Sequence, residues 1–148
     1  MNSLQINGIL KRCKIRNYIG VFPSDLLPEG AKGLMVVNLD HSRKPGSHWV
    51  CLYIDKNKGE YFDTFGRPPS GKILNYLNKN CKRWIDNKYS IQSVVSSYCG
   101  HYCILYCIMR SKGTDVHKFV KLFSKTDTGL NDKIVCEMIG AINKKIKK

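Results

Sequence analysis

The segment Cys99 to Arg110, Cys-Gly-His-Tyr-Cys-Ile-Leu-Tyr-Cys-Ile-Met-Arg, constrains this chain more than any other. It is nearly all apolar, so as a helix it must be covered by protein on every side. It falls short of the roughly 18 to 20 apolar residues that a bilayer crossing needs. A buried helix follows, with Ser96, Ser97 and Tyr98 leading into it. A chain of 148 residues can supply that cover within one domain. Residues 1–148 are therefore read as a single domain.

The cover comes from short elements. Leu4, Ile6, Ile9, Leu10 and Cys13 follow helical spacing and predict an amphipathic helix over Ser3 to Lys14. Tyr18 to Gly33, with Pro23, Pro28 and three glycines, reads as loop. Gly33 to Leu39 is a continuous apolar run suited to a buried strand. His41 to Ser47 is a polar turn. Trp49 to Asp55 and Glu60 to Asp63, joined by a turn at Lys56 to Gly59, read as a β-hairpin. Ile73, Leu74, Leu77, Cys81 and Trp84 mark a helical stripe, and Tyr89 to Val94 a short strand centred on Gln92. Helices over Asp115 to Phe123, capped by Thr114, and over Leu130 to Ile146 complete the chain. The class is α+β, a small central mixed or antiparallel sheet flanked by helices.

Seven cysteines are an odd number, and Met1 to Leu10 carries Asn2, Ser3, Gln5 and Asn7 where a secretory signal would be apolar. They are read as reduced thiols in an intracellular compartment. The 25 Lys and Arg against 11 Asp and Glu give a net charge of +14. Such a charge calls for an anionic partner, most commonly nucleic acid, or else it is a solvated lysine-rich surface. Composition weighs these two evenly.

Cys99 opens the buried helix and Gly100 follows it, so backbone can approach a ligand closely there. A helix N-terminus favours thiolate over thiol and offers unpaired N–H groups to a developing oxyanion. The plain alternative is a structural thiol. His48 and Asp63 stand at neighbouring ends of the hairpin, and a turn centred near residue 55 or 56 sets them opposite each other. An imidazole beside an orienting carboxylate results. Gln92, seven residues before Cys99, can aim an amide donor at the same spot. Singly, His48 could cap a strand, Asp63 make a turn and Gln92 sit on the surface. Jointly they have the layout of nucleophilic acyl transfer. Cys99, Cys103 and Cys107, with His101 among them, recur at helical spacing but lack the second half of a zinc site, so no metal is expected.

The blocks Gly46-Ser47-His48-Trp49, Tyr61-Phe62-Asp63-Thr64-Phe65-Gly66, and Gln92 through Ser97-Tyr98-Cys99-Gly100 resemble those of the adenovirus maturation protease family, with relatives in virophages and Polinton-type elements. The resemblance implies an adenain-like fold and cysteine endopeptidase activity. Cys99 is then the nucleophile, His48 the general base and acid, Asp63 its orienting partner and Gln92 an oxyanion donor, with Trp49 packed beneath the site. Asp63 stands where adenoviral members use glutamate. Capsid precursor proteins are the implied substrates, cleaved at Gly-containing sites by a monomer in the host cell and the virion, with no membrane partner. No cofactor is required for the chemistry, but DNA or a short viral peptide is the implied activator. Cys81, eleven residues before Gln92, is similar in placement to the adenoviral cysteine that holds the peptide, and a core role is its ordinary alternative. A deconjugating protease for ubiquitin-like modifiers has the same four roles in the same order, usually with one residue fewer between glutamine and cysteine. A basic DNA-binding module without catalysis is the third reading.

Overall fold

The computed structural model describes residues 1–40, 42 and 48–147. Apart from Ser42, the polar turn read over His41 to Ser47 lies outside them. Five strands form one mixed sheet in the order β1 (Tyr18–Pro23), β2 (Gly33–Asn38), β3 (Trp49–Asp55), β4 (Lys58–Phe62), β5 (Arg83–Asp86). The pairs β2–β3 and β3–β4 are antiparallel, and the outer pairs β1–β2 and β4–β5 are parallel. The helices are α1 (Ser3–Arg12), α2 (Gly71–Asn80), α3 (Cys99–Ser111), α4 (Val116–Val120) and α5 (Thr128–Ile146).

The uninterrupted apolar runs have a simple cause: β2 and β3 are buried on both faces. Leu34, Val36 and Cys51 join the core beneath α1, α3, α4 and α5. Met35, Val37, Val50, Leu52 and Ile54 join the core beneath α2. The nearly all-apolar α3 is clasped as its composition requires, with Tyr102, Cys103, Ile104, Tyr106 and Cys107 fully buried. Phe62 stacks on Tyr106 at 5.0 Å, and the Cys51 thiol donates to the Cys103 carbonyl.

Several elements differ from the sequence reading. Tyr18 to Pro23 is an edge strand, not loop. Pro23 closes it where no ladder donor is needed, and Gly20 adjoins a register irregularity. The helical stripe stops at Asn80. Cys81 is already extended, and Trp84 belongs to β5. The Cys81 sulfur lies 2.6 Å from where a Cβ on Gly59 would stand, so only glycine fits at that point of β4. Tyr89 to Val94 forms no strand, and Val94 and Val95 are 85% and 92% exposed. This segment is tied instead by the Ile91 N–H to Thr64 O and by the Asn131 side chain to Ile91 O. Asp115, not Thr114, caps α4, accepting from Lys118 N at 2.8 Å. That helix ends at Val120, short of Phe123, while Asp127 starts α5 a turn early. No helix among the described residues is long and apolar enough to cross a membrane.

Candidate active site

His48 immediately precedes β3, and Asp63 immediately follows β4. The last ladder pair, Asp55 with Lys58, leaves Lys56 and Asn57 as the turn, with Lys56 at a φ of +55°. Extending that register sets Asp63 opposite Val50 and His48 opposite Phe65, two residues off the sequence expectation. The side chains meet nonetheless, His48 Nε2 lying 2.6 Å from Asp63 Oδ1. The Phe65 ring takes the facing position and stacks on the imidazole at 5.0 Å. With Nε2 held by the carboxylate, Nδ1 is the nitrogen left for Cys99.

Asp63 is held from several directions. Oδ1 also accepts from Phe65 N at 3.1 Å, and Oδ2 from Arg67 N at 3.3 Å. The buried Asn87 grips its main chain twice, accepting from Asp63 N at 3.0 Å and donating to Asp63 O at 2.5 Å. The turn after the acid needs Gly66, whose φ is +70° and whose Cβ would fall 2.4 Å from the Tyr89 carbonyl carbon. Asn87 carries no motif, and its part depends on β5 being laid beside β4, so sequence reasoning missed it.

Cys99 is the first residue of α3, and Tyr98 before it offers no side-chain cap, so the first-turn N–H groups keep their donor capacity. Burial works against the Cys99 thiolate. Hydrogen bonds from His48 and from the N–H groups of Trp49 and Gly100 outweigh it and hold the thiol below its usual range. Burial would likewise depress His48, but Asp63 and Cys99 together push it up to about 9. The two shifts agree in direction: both favour a thiolate beside an imidazolium. Cys103, one turn on along the same helix, behaves oppositely, burial pushing its thiol up to about 11. Cys103 and Cys107 are core residues facing β3, and among the described residues no group of three metal-binding side chains assembles.

Gln92 is buried in the loop before α3, not in a strand, and it lines a cleft of about 240 Å³ with Met1, His48, Trp49, Phe65 and Cys99. Its Nε2 donates to both Ser96 O and Ser96 Oγ at 3.1 Å, while its Oε1 has no partner among the described residues. An oxyanion in the cleft must therefore draw one N–H away from Ser96, and the hydroxyl is the weaker competitor. Gln92→Ala is expected to lower turnover roughly 10- to 1000-fold, measured as kcat on a fluorogenic peptide, if the amide stabilises that oxyanion. An unchanged kcat would reduce Gln92 to a loop anchor. Trp49 forms the cleft wall, its indole donating to Met1 O at 3.2 Å.

No protein-family model matches the chain. Over 70 residues it is 24% identical to the cysteine protease of African swine fever virus, covering 45% of this chain and 26% of that one. Over 100 residues it is 33% identical to a protein of Acanthamoeba polyphaga mimivirus named as a thiol protease, covering 60% and 33%. The chain thus spans about a quarter to a third of the length of these curated relatives. Crystal structures of the African swine fever virus protease superpose with TM-scores of 0.60 and 0.64 at 14% identity, over 86% of this chain and about 64% and 63% of theirs. The SUMO protease Ulp1, with its catalytic cysteine oxidised to a sulfinic acid, superposes at 0.54 and 15% identity, over all of this chain and 79% of that one. These likenesses are not specific to the adenoviral branch: the chain has the α+β fold shared by the African swine fever virus and Ulp1 cysteine proteases, and its sequence is similar to viral cysteine and thiol proteases.

Proposed function

We propose that the chain is a cysteine endopeptidase that cleaves capsid precursor proteins of a virus, virophage or transposon during particle maturation, at Gly-containing sites. The observation that carries the enzymatic part is the His48 ring, fixed at Nε2 by Asp63 and lining one cleft with Cys99, whose thiol it holds below the usual range. The Cys99 thiolate adds to the scissile carbonyl, and the oxyanion lies against the Cys99 N–H and a Gln92 N–H. The imidazolium gives a proton to the departing amine, leaving a thioester. Neutral His48 then takes a proton from water, whose oxygen attacks the thioester and returns Cys99 to thiolate.

A second reading is deconjugation of a ubiquitin-like modifier, favoured by the superposition on a SUMO protease across the whole chain. Incubation with capsid precursors and with ubiquitin-like fusions, followed by sequencing of the new N-termini, separates the two. Cleavage of the precursors alone supports maturation. Cleavage only behind the modifier's terminal Gly-Gly supports deconjugation, and no cleavage of either sinks both.

The basic surface suits an accessory role in holding the enzyme to DNA packed with its substrates, in the host cell and the virion. Lys11 and Arg12 end α1, with Lys14 and Arg16 just beyond, and Lys144 and Lys145 end α5, with Lys147 as its cap. Lys148, counted with them in the sequence, lies outside the described residues. Cations there also suit helix C-termini, so a test is needed. Affinity for random DNA should fall by roughly 10^3 between about 50 and 200 mM salt if about six phosphates are neutralised. A flat salt dependence in fluorescence anisotropy would return the charge to a solvated surface. Cys81 is buried, and burial pushes its thiol up, so we assign it packing against Gly59 instead of peptide capture.

A further inference from the structure

The far end of the β3–β4 hairpin from the catalytic cleft is rich in cations. Asp55, Lys56, Asn57, Lys58, Lys82 and Arg83 line an open recess of about 550 Å³ there, and all six are exposed. The register gathers them: Lys58 faces Asp55 across the hairpin on one side and Arg83 across the parallel pair on the other. Asn57 O accepts from Lys82 N at 2.9 Å and from Arg83 N at 3.2 Å, which ties the hairpin turn and the start of β5 into one frame. Like charges directly opposite each other on a ladder repel, and Lys58 with Arg83 is such a pair. Asp55 is the single carboxylate lining the recess, and among the described residues none of the four cations makes a salt bridge. Arg110, in the adjoining recess, is the contrast: its guanidinium lies 4.3 Å from the Tyr53 ring centre and its Nε 3.4 Å from Glu60 Oε2, so that cation is already balanced. Four cations without such partners, carried on tied backbone, leave a repulsion that a bound anion would relieve.

Spacing selects the anion. Neighbouring strands lie roughly 4.8 Å apart, so β4 and β5 present their cations at about that interval. An extended acidic peptide turns successive side chains to opposite faces, which leaves roughly 7 Å between carboxylates on one side. A chain of phosphates carries charge on every unit and offers several oxygens to each ammonium or guanidinium. Location decides what such binding does to the enzyme. His48 precedes β3 and the recess lies at the last residue of that strand, so about 20 Å of strand separates the two. An anion held there leaves the cleft over Cys99 open.

We propose that this recess is a binding site for a chain of phosphate groups, with Lys56, Lys58, Lys82 and Arg83 as its cations. It stands apart from the endopeptidase reading, and the basic ends of α1 and α5 supply none of these four residues. A soluble polyphosphate and a nucleic-acid backbone share this chemistry. Either can occupy the recess while a peptide occupies the cleft.

The test is calorimetric titration with inorganic tripolyphosphate at about 50 mM salt. Lys82→Glu combined with Arg83→Glu should weaken binding roughly 10-fold or more. Lys144→Glu combined with Lys145→Glu removes the same charge at the end of α5 and should leave affinity within about twofold. Should the first variant fail to fold, Lys56→Gln combined with Lys58→Gln takes its place with the same expectation. Equal losses in the two charge-matched variants, no binding to the wild-type protein, or equally tight binding of poly-glutamate overturns the site. Duplex DNA separates the two sources, both of which support it. DNA affinity lost together with tripolyphosphate affinity in Lys82→Glu, Arg83→Glu identifies a nucleic-acid backbone, and DNA affinity retained there identifies a soluble polyphosphate. Saturating tripolyphosphate should leave kcat/KM for a short peptide unchanged, and competitive inhibition would put the anion at Cys99 and overturn the site. A protein that binds tripolyphosphate at these residues but cleaves no peptide supports the site and sinks the enzyme reading alone.

Discussion

Cys99→Ala is expected to abolish peptide hydrolysis, a loss on the order of 10^5-fold or more, with the fold intact. The size follows from the mechanism: without sulfur no thioester forms, and what remains is water attack aided by oxyanion donors. The fold should survive because Cys99 sits at the start of α3 and lines the cleft. Cys103 and Cys107 are the internal comparison. Both lie on the same helix and both are fully buried against β3. Their alanine variants should lower thermal stability by on the order of 1 kcal/mol each while keeping turnover per folded molecule. Measuring kcat beside the melting temperature for all three variants distinguishes a nucleophile from a core thiol. Retained hydrolysis in Cys99→Ala would end the protease reading.

What was legible before the structure follows from where burial is two-sided. β2, the middle of β3 and the first two turns of α3 are buried almost throughout, so their residues must be apolar with little interruption, and the sequence places these elements to within a residue or two. The edges are different. β1 contains Gly20 and Pro23, and β5 is the mixed Arg83-Trp84-Ile85-Asp86 with two residues facing out. An edge strand satisfies only one ladder, tolerates proline and glycine, and leaves no periodic signal. The candidate site shows the same division. His48, Asp63 and Cys99 stand at element ends and Gln92 in the loop before α3; His48, Gln92 and Cys99 line one cleft, and Asp63 holds His48. Asn87 and Ser96 were not legible, because their partners are main-chain atoms of Asp63 and the Gln92 amide, brought near only by the tertiary path of the chain. The hairpin register was misjudged by two residues. The contact with Asp63 survives because a histidine side chain spans that offset, and Phe65 fills the position directly opposite.

Asp63→Asn should lower kcat roughly 10^2- to 10^4-fold with little change in KM, and should move the alkaline limb of the pH profile toward neutrality. On the endopeptidase reading, the active form of the wild-type protein is thiolate with imidazolium. Activity rises as pH passes the depressed Cys99 value and falls as His48 loses its proton near pH 9. Because the folded His48 value lies above the unfolded one of about 6.5, its pairing stabilises the fold fully below that pH. That contribution is lost as pH climbs through about 9. Asparagine carries no charge to hold the imidazolium. It also cannot satisfy the surroundings of Asp63: Oδ1 faces His48 and Phe65 N–H, and Oδ2 faces Arg67 N–H, so every direction holds a donor. The asparagine NH2 must turn toward one of them. Facing Arg67, it orphans a main-chain donor; facing His48, it forces the tautomer whose proton sits on the nitrogen nearest Cys99, and the thiol then has no base. Profiles of kcat/KM from about pH 5 to 10 for both proteins decide the matter. An alkaline limb that stays near 9 in the variant, with kcat unchanged, would mean that Asp63 is a turn residue and that His48 draws its charge from Cys99 alone.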